Sequence, residues 1–316
     1  MALSGCLAVI VLALAFNNPQ FADFVLRLTI FGSYALSLNL LIGYTGLVSF
    51  GHAMFFGFGA YAFGLLMQTE RVSIPLAFAA SIAGAAVLAV SIGALCIRLK
   101  DIYFGILTLA FQMLLHAVIL SWVSVTGGDQ GLQGGIPRPP FFGVDLSHPK
   151  QFFVLACVIF FGLVLLVRQI VESPFGYSLR MVRDNPERAL ALGLAVQRYK
   201  LAAFVISGTI AANAGIMMSL YVSGAYPNFA YWTLSGDGIL MIMLGGMTVF
   251  LGPIVGAGIF LLLNGIITRT TEYSGLVMGI VLLSVVLGLR RGVLDFVVER
   301  CGNLGRAALF TRRIEL

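Results

Sequence analysis

The hydrophobic residues of this chain fall in long consecutive runs that are separated by short polar segments. Consecutive runs predict helices, because the strands of a membrane β-barrel alternate between apolar and polar residues. Several runs are shorter than the roughly 20 residues that a helix perpendicular to a bilayer needs, so these are predicted to be tilted helices, half-helices or hairpins. The candidate spans are Leu3 to Phe16, Phe24 to Ile42, Ala53 to Met67, Ile74 to Ile97, Ile102 to Leu120, Phe152 to Val167, Leu201 to Tyr221, Ile239 to Val249, Ile254 to Ile267 and Leu276 to Leu289.

The composition favours a membrane protein over a soluble one. Hydrophobic residues make up 59% of the sequence and charged residues 10%, against about 45–50% and about 25% in ordinary soluble domains. The cysteines are scattered, without a C-x-x-C motif or a histidine pair, which argues against a zinc site; they are Cys6, Cys96, Cys157 and Cys301. We predict an all-α polytopic membrane protein with about ten transmembrane helices, some interrupted by glycine-rich segments, in a single domain over residues 1–316.

The basic residues decide how the ambiguous stretch from Ile239 to Ile267 crosses the membrane. This stretch is long for one helix, short for two, and interrupted by glycines and Pro253. If it is a hairpin, 14 of the 19 Lys and Arg residues fall on one side, which the positive-inside rule identifies as cytoplasmic. A single span would place the arginine-rich tail, residues 290–316, outside. The predicted cytoplasmic side holds Arg98, Lys100, Arg168, Arg180, Arg183, Arg188, Arg198, Lys200, Arg290, Arg291, Arg300, Arg306, Arg312 and Arg313.

Two glycine-rich segments interrupt the helical pattern in a similar way. One runs from Gly43 to His52 and the other from Gly245 to Pro253, and their likeness is consistent with a twofold internal repeat. Glycine-rich backbone is tolerated in a membrane where it lines a cavity, as in transporters; small residues also allow close helix packing. Both interpretations are open. Under the first, the residues of a translocation path are Asn39, Gly43, Gly46, Gly51, His52, Gly245 and Gly246.

The polar segment from 172 to 200 predicts a short helix on the cytoplasmic face. Asn185 suits an N-cap, Pro186 the first helical position, and Glu187 the positive end of the helix, while Gly193 suits a left-handed end. The apolar side of this helix is expected to need a partner or, alternatively, to rest on lipid headgroups. That side consists of Ala189, Leu190, Leu192 and Leu194.

Chemically active groups are few in the predicted spans. His52 is expected to line the path or, more commonly for such a residue, to pack and hydrogen-bond; His116 is assigned no ligand role. Asp237 is expected to cap the helix that follows it or to contact a partner outside. Uncharged polar residues in spans are expected to bond neighbouring helices; these are Asn39, Gln112, Asn213 and Asn264.

Two features that the sequence lacks bear on the source of energy for transport. Proton or sodium coupling usually needs a relay of carboxylates within the bilayer, and the predicted spans carry almost no charge. The sequence also has no G-x-x-x-x-G-K-[ST] phosphate loop, so any ATP-driven mechanism would take its nucleotide chemistry from another subunit.

Several stretches together resemble the LivM-type permeases of branched-chain amino acid ABC transporters, over nearly the whole chain. The departure is Asn213, where the family commonly has a small apolar residue, which leaves the substrate open. The stretches that carry the resemblance are residues 36–52, Ile102-Tyr103-Phe104, residues 108–111, Thr126-Gly127-Gly128, Gly131-Leu132, Ser173-Pro174-Phe175-Gly176, residues 183–186, Ala189, Leu192-Gly193 and residues 199–204.

The resemblance implies a heteromeric importer in the bacterial inner membrane. This subunit would pair with a second, LivH-type permease, two cytoplasmic ATPases that hold ATP and magnesium, and an external binding protein; the chain itself would hold no cofactor or metal and would not be an enzyme. The implied cargo is a branched-chain or other small apolar amino acid. The alternatives are a self-sufficient secondary transporter or channel, or an ABC permease for urea, amides or aromatic acids.

The resemblance also assigns two surfaces. The ATPase-coupling residues would be Arg183, Asp184, Asn185, Pro186, Glu187, Ala189, Leu190, Leu192 and Gly193. The external loop from Val123 to Lys150 would receive the binding protein, through Thr126, Gly127, Gly128, Asp129 and Gly131.

Overall fold

The computed structural model of the protein describes residues 19–69, 72–99, 101–132, 135–137, 148–270, 273–288 and 292–294. The elements within these ranges are helical, which confirms the predicted all-α fold. The predicted span from Leu3 to Phe16 and most of the basic tail lie outside the described residues. The helices are α1 (Pro19–Thr45), α2 (Ala53–Gln68), α3 (Ile74–Cys96), α4 (Asp101–Ser121), α5 (Val123–Thr126), α6 (Pro149–Glu172), α7 (Pro174–Asp184), α8 (Pro186–Ala191), α9 (Val196–Val222), α10 (Trp232–Gly245), α11 (Gly252–Thr270) and α12 (Ser274–Gly288).

Six of these helices are long and apolar enough to cross a membrane: α1, α3, α4, α6, α9 and α11. Two others, α2 and α10, are apolar but shorter, with 16 and 14 residues. Each predicted span within the described ranges corresponds to one helix. The two short helices match the prediction that some spans are half-helices.

The centre of the bundle is formed by α1 and α9. In their most apolar stretches 78% and 67% of the residues are buried, against at most 39% in the other four long helices. Small residues bring α2 against α9: a Cβ placed on Gly59 would lie 2.2 Å from the carbonyl oxygen of Ala212. A Cβ on Gly215 would lie 1.9 Å from that of Phe56. These contacts exclude any larger residue at the two glycines.

The stretch from 239 to 267 contains two packed helices, as the charge distribution predicts. A Cβ on Gly245 would lie 1.8 Å from the Gly252 carbonyl oxygen, and one on Gly256 would lie 1.8 Å from that of Met241. Because later residues of α11 meet earlier residues of α10, the two helices are antiparallel. Glycine at the crossing lets their backbones touch.

The described parts of the basic segments lie at one end of the bundle, which we call the loop end because it carries residues 173–195. Gly93, near Arg98, packs against Leu201 and Phe204 at the start of α9. Gly292 of the tail packs against Gly246, and a Cβ on Gly43 would lie 3.0 Å from the Met247 carbonyl oxygen. The opposite end, called the far end, carries residues 123–132 and 135–137.

Three local predictions are corrected. Helix α7 was not predicted; Ser173 caps it by accepting a hydrogen bond from the Gly176 amide, and Pro174 occupies its first turn. Helix α1 continues through Gly43 to Thr45, so the first interruption begins at Gly46. Asp237 does not cap α10, because that helix starts at Trp232 with Tyr231 as its N-cap residue.

Candidate functional site

The first interruption, residues 46–52, is a non-helical segment that enters the bundle and ends in a turn at residues 50–52. It starts at the loop end, where α1 finishes, and runs along α4: a Cβ on Gly105 would lie 3.1 Å from the Val48 carbonyl oxygen. Higher up, a Cβ on Gly51 would lie 1.9 Å from the Thr108 carbonyl oxygen. Thr108 lies in the first half of α4, so α2 begins inside the bundle. Leu47, Ser49, Gly51 and His52 are buried, so protein covers one side of this non-helical backbone.

A second segment, residues 223–231, enters the bundle from the far end. It begins beside the outer loop, where the Leu132 amide donates to the Ala225 carbonyl (2.9 Å). It ends near mid-depth, where the Gln112 side-chain amide donates to the Ala230 carbonyl (3.2 Å). Helix α10 starts directly after it. The half-helices α2 and α10 therefore both start inside the bundle, after segments that enter from opposite ends.

The starts of the two half-helices are joined by a buried hydrogen-bond chain. The Ala53 amide, in the first turn of α2, donates to the Ser235 hydroxyl of α10 (2.9 Å). That hydroxyl donates to the side-chain carbonyl of Gln112 (3.0 Å). One serine thus satisfies an amide of α2 that no residue of its own helix can reach.

His52, directly before α2, is a fully buried hydrogen-bonding residue. Its Nε2 lies 3.0 Å from the Ser37 hydroxyl and 3.3 Å from the Ser207 hydroxyl. Both hydroxyl protons go to carbonyls, Ser37 to Tyr34 and Ser207 to Ser37. With the hydroxyl protons placed there, the proton of the imidazole lies on Nε2, and the contacts of Nε2 tie α2 to α1 and α9. The structure places His52 in packing between helices.

Two arginines of α7 hold the loop end of the first segment. The Arg183 guanidinium donates to the carbonyl of Gly43, in the last turn of α1, and its Cγ would lie 2.9 Å from a Cβ on Gly46. The Arg180 guanidinium stacks over the rings of Tyr44 and Tyr177, at 5.3 and 5.2 Å from their centroids. The predicted coupling residue Arg183 therefore contacts the predicted path residues Gly43 and Gly46.

Helix α8 has the caps that the sequence predicts. The Asn185 side chain accepts a hydrogen bond from the Arg188 amide (2.9 Å), Pro186 lies in the first turn, and Gly193 is left-handed, with φ +86°. The expected apolar side is divided: Ala189 is buried, whereas Leu190 and Leu192 are 64% and 70% exposed. Two leucines thus project from the loop end, beside the exposed residues Asp184 and Glu187.

The remaining predicted path residues lie in close contacts within the bundle. Asn39 is fully buried, and its amide has no hydrogen-bond partner among the described residues; a Cβ on Gly43 would lie 2.5 Å from its Oδ1. Gly245 lies at the α10–α11 crossing, and Gly246 ends α10 with φ +108°. Asn264 accepts a hydrogen bond from Thr268 of its own helix and bridges no helices by that bond.

The predicted docking loop is a glycine turn at the far end. Thr126 ends α5, and its hydroxyl donates to the Ile119 carbonyl (2.5 Å). A 3₁₀ turn, Gly128–Gln130, contains Asp129. Three glycines here have positive φ, from +59° to +77°: Gly127, Gly128 and Gly131. Gly131 packs against the Ala225 carbonyl, so this loop is attached to the segment that leads to α10.

Sequence reasoning did not identify Arg180, Ser207 or Ser235 as site residues. Ser207 and Ser235 lie in apolar runs, and serine in such a run also serves as a small residue that lets helices pack closely. For α7 a signal was present, because the Ser-Pro pair at 173–174 is an N-cap followed by proline in the first turn.

Comparisons with known proteins agree on one kind of protein. A family model described as the permease component of branched-chain amino acid transport systems matches residues 20–286. The high-affinity branched-chain amino acid transport permease LivM of Escherichia coli K12 is 27% identical over 267 residues, 77% of this chain and 63% of its own length. A LivM of Methanocaldococcus jannaschii is 26% identical over 68% of this chain and 73% of its own length.

A relative with a different cargo matches more of the chain. The autoinducer 2 import permease LsrD of Escherichia coli K12 is 26% identical over 96% of this chain and 97% of its own length. The match to the Escherichia coli LivM spans less than two thirds of that relative. No solved structure matches the chain.

Proposed function

The chain belongs to the family of branched-chain amino acid transport permease components, and from this premise we propose that it is one permease subunit of an ATP-driven importer. Its cargo would be branched-chain or other small apolar amino acids. A second permease would complete the membrane passage, two cytoplasmic ATPases with ATP and magnesium would supply the energy, and an external binding protein would deliver the cargo. The loop end would face the cytoplasm of a bacterial cell.

The observation that carries this proposal is the arrangement at the loop end. Leu190 and Leu192 are exposed on a capped helix that connects through Asn185 to α7. Helix α7 in turn contacts the last turn of α1 through Arg183. A protein bound to the two leucines would therefore displace α7 and, with it, the entry of the first segment. Such a connection suits energy that arrives from outside the chain.

The proposal is tested with the tagged chain isolated together with its partners. We expect a second permease and two ATPases to copurify, and the reconstituted complex to take up leucine only with ATP and the binding protein. A chain that purifies alone and moves leucine without ATP would show a self-sufficient transporter instead.

The loop end is tested by the pair Leu190→Glu with Leu192→Glu. Charged side chains are expected to reduce the copurified ATPase at least tenfold, because they oppose burial in an apolar groove. Val123→Glu is the matched control, since Val123 is 63% exposed at the far end. Unchanged ATPase recovery in the double variant would refute the assignment of this surface.

A second cargo class is favoured by the match to LsrD, which extends over nearly the whole chain. In this alternative the same scaffold carries autoinducer 2. Ligand binding by the cognate binding protein, measured by calorimetry with leucine and with autoinducer 2, separates the two cargoes.

A further inference from the structure

Helix α10 carries a stripe of polar and small residues that its own chain does not cover. Thr233, Gly236 and Asp237 follow the spacing of one helix face. Thr233 is exposed, while Gly236 and Asp237 are half-buried, and a Cβ placed on Gly236 would meet no atom within 4 Å. The opposite face, with Ser235 and Gly238, is buried. Open space therefore borders Asp237 on the face of α10 that points away from the bundle.

Asp237 lies near the middle of the membrane-spanning bundle. A Cβ on its neighbour Gly238 would lie 2.7 Å from the ring of Tyr34 and 3.1 Å from the side chain of Leu38. Both residues lie in the central part of α1. Helices α1 and α9, with 27 residues each, are the longest described helices. The carboxylate thus lies at a depth where hydrocarbon would surround it if lipid covered this face.

Other charged residues of the described spans are placed differently. Asp23 and Arg27 form an ion pair near the start of α1 (3.0 Å), and Arg168 pairs with Glu172 at the end of α6 (2.8 Å). Asp237 forms no hydrogen bond or ion pair with any residue in the described ranges. A carboxylate at this depth normally faces a protein interior or water and finds a cationic partner.

We propose that Asp237 lines the passage between the two permease subunits and binds the ammonium group of the amino acid in transit. This inference rests on the proposed function, which supplies the second subunit and a zwitterionic cargo. Charge complementarity identifies the group that would bind: a carboxylate accepts hydrogen bonds from the N–H groups of a primary ammonium. Thr233 and Gly236 leave room beside it for the small body of the substrate. None of the predicted path residues is a carboxylate, so Asp237 would confer selectivity for a cationic nitrogen.

The test uses the complete importer in liposomes, with leucine and its binding protein as the probe. Asp237→Asn keeps the shape and removes the charge, and we expect it to lower leucine uptake at least tenfold. Asp237→Glu keeps the charge and is expected to retain a third or more of the uptake. Asp23→Asn is the control, because this half-exposed carboxylate pairs with Arg27 near the start of α1; its uptake is expected to match the wild type.

Recovery of the second permease with each variant separates a ligand site from a subunit contact. If Asp237→Asn loses uptake and keeps its partner, the inference is supported. If it loses its partner, Asp237 pairs with a basic residue of the second permease, and the inference is overturned. If it imports leucine like the wild type, the inference is again overturned while the proposed function stands. A wild-type complex that imports no leucine would refute the proposed function itself.

A charge-rescue experiment covers the case in which the charge matters only for folding. Asp237→Cys is made in a background in which Cys6 and Cys301 are replaced by serine; Cys96 and Cys157 are buried and remain. Reaction with an anionic methanethiosulfonate on the assembled complex is expected to restore uptake at least threefold. The cationic reagent of similar size is expected to restore none. Equal rescue by both reagents, or by neither, would overturn the inference.

Discussion

The two segments that lead into the half-helices differ in what holds them. Residues 46–52 run up from the loop end and are held there by Arg183 of α7. Residues 223–231 run in from the far end and are held there by the glycine turn at Gly131. Their inner ends meet through Ser235. Each half-helix is thus attached to a different surface of the bundle, and the two meet inside it, through Ser235 and through Gly57 of α2, where a Cβ would lie 2.5 Å from the Ala230 side chain.

This difference separates two kinds of input. Under the proposed function, ATPases act on the loop end and would move the first segment, whereas a binding protein acts on the far end and would move the second. The ATPases and the binding protein can affect each other only through an element whose conformation both of them change. The hydrogen-bond chain from Ala53 through Ser235 to Gln112 joins the two segments, together with the ring contact of Phe56 with Phe229, whose centroids are 5.8 Å apart.

The largest effect is expected where the two segments differ in packing. Gly51→Ala would place a Cβ 1.9 Å from the Thr108 carbonyl oxygen and should cost about 3 kcal/mol or more, because the backbone must move. Gly224→Ala, in the second segment, would meet only the Tyr226 ring at 3.4 Å and should stay within about 0.5 kcal/mol. The loss of monodisperse protein on heating in detergent measures both. Equal tolerance would show that the first segment is not tightly enclosed.

The next effect tests the contact at which the segments meet. Ser235→Ala leaves the Ala53 amide and the Gln112 carbonyl without this partner, which should cost about 1–3 kcal/mol each when buried. Ser219→Ala is the matched control: Ser219 is equally buried, but its hydroxyl bonds only within its own helix. Thermal stability in detergent is the measurement. A Ser235 variant as stable as the control would contradict a joined pair of half-helices.

A smaller effect is expected at the loop end of the first segment. Arg183→Ala removes the hydrogen bond to Gly43, and we expect leucine uptake to fall about tenfold, which corresponds to about 1.4 kcal/mol. ATPase recovery should stay unchanged, because Leu190 and Leu192 are intact. Arg198→Ala is the control for loss of a positive charge near this end. If uptake persists in the Arg183 variant, α7 does not drive the first segment.

The smallest effect concerns the cap of α8. Asn185→Ala removes the bond to the Arg188 amide and should cost about 1 kcal/mol of helix stability, while Asn185→Ser keeps a capping oxygen. With Glu187→Ala added, we expect several-fold weaker ATPase binding, measured by copurification, and normal membrane insertion. Identical ATPase binding by the Ala and Ser variants would show that the cap does not position Leu190 and Leu192.

The sequence predicted the spans well, because the hydrophobic runs are long and lipid leaves few alternatives to a helix. It also predicted the α8 caps at Asn185 and Gly193, which depend on neighbouring residues alone. The hairpin of α10 and α11 followed from charge, since the positive-inside rule uses whole loops. Each of these features depends on neighbouring residues or on the summed charge of a loop.

The pairing of the two interruptions could not be predicted in the same way. The likeness of residues 43–52 and 245–253 suggested a repeat. Residues 246–251, however, form the turn of an antiparallel hairpin. The segment that, like residues 46–52, leads from one end of the bundle into a half-helix is residues 223–231. Glycine spacing records close backbone contact but not the partner. The contacts of Gly51 with Thr108 and of Ala53 with Ser235 join distant parts of the chain, and no local pattern encodes them.

The contact of Ala53 with Ser235 has a consequence for how the chain is made. Residues 46–52 leave the ribosome long before their covering residues, Thr108, Ser207 and Ser235, have been synthesised. Uncovered peptide groups are strongly disfavoured in hydrocarbon, so the first half-helix cannot settle at its final depth as it emerges. It must wait near the membrane surface or in a protected site until α9 and α10 arrive. Synthesis arrested before residue 235 would leave a chain with its central segment still outside the bilayer core.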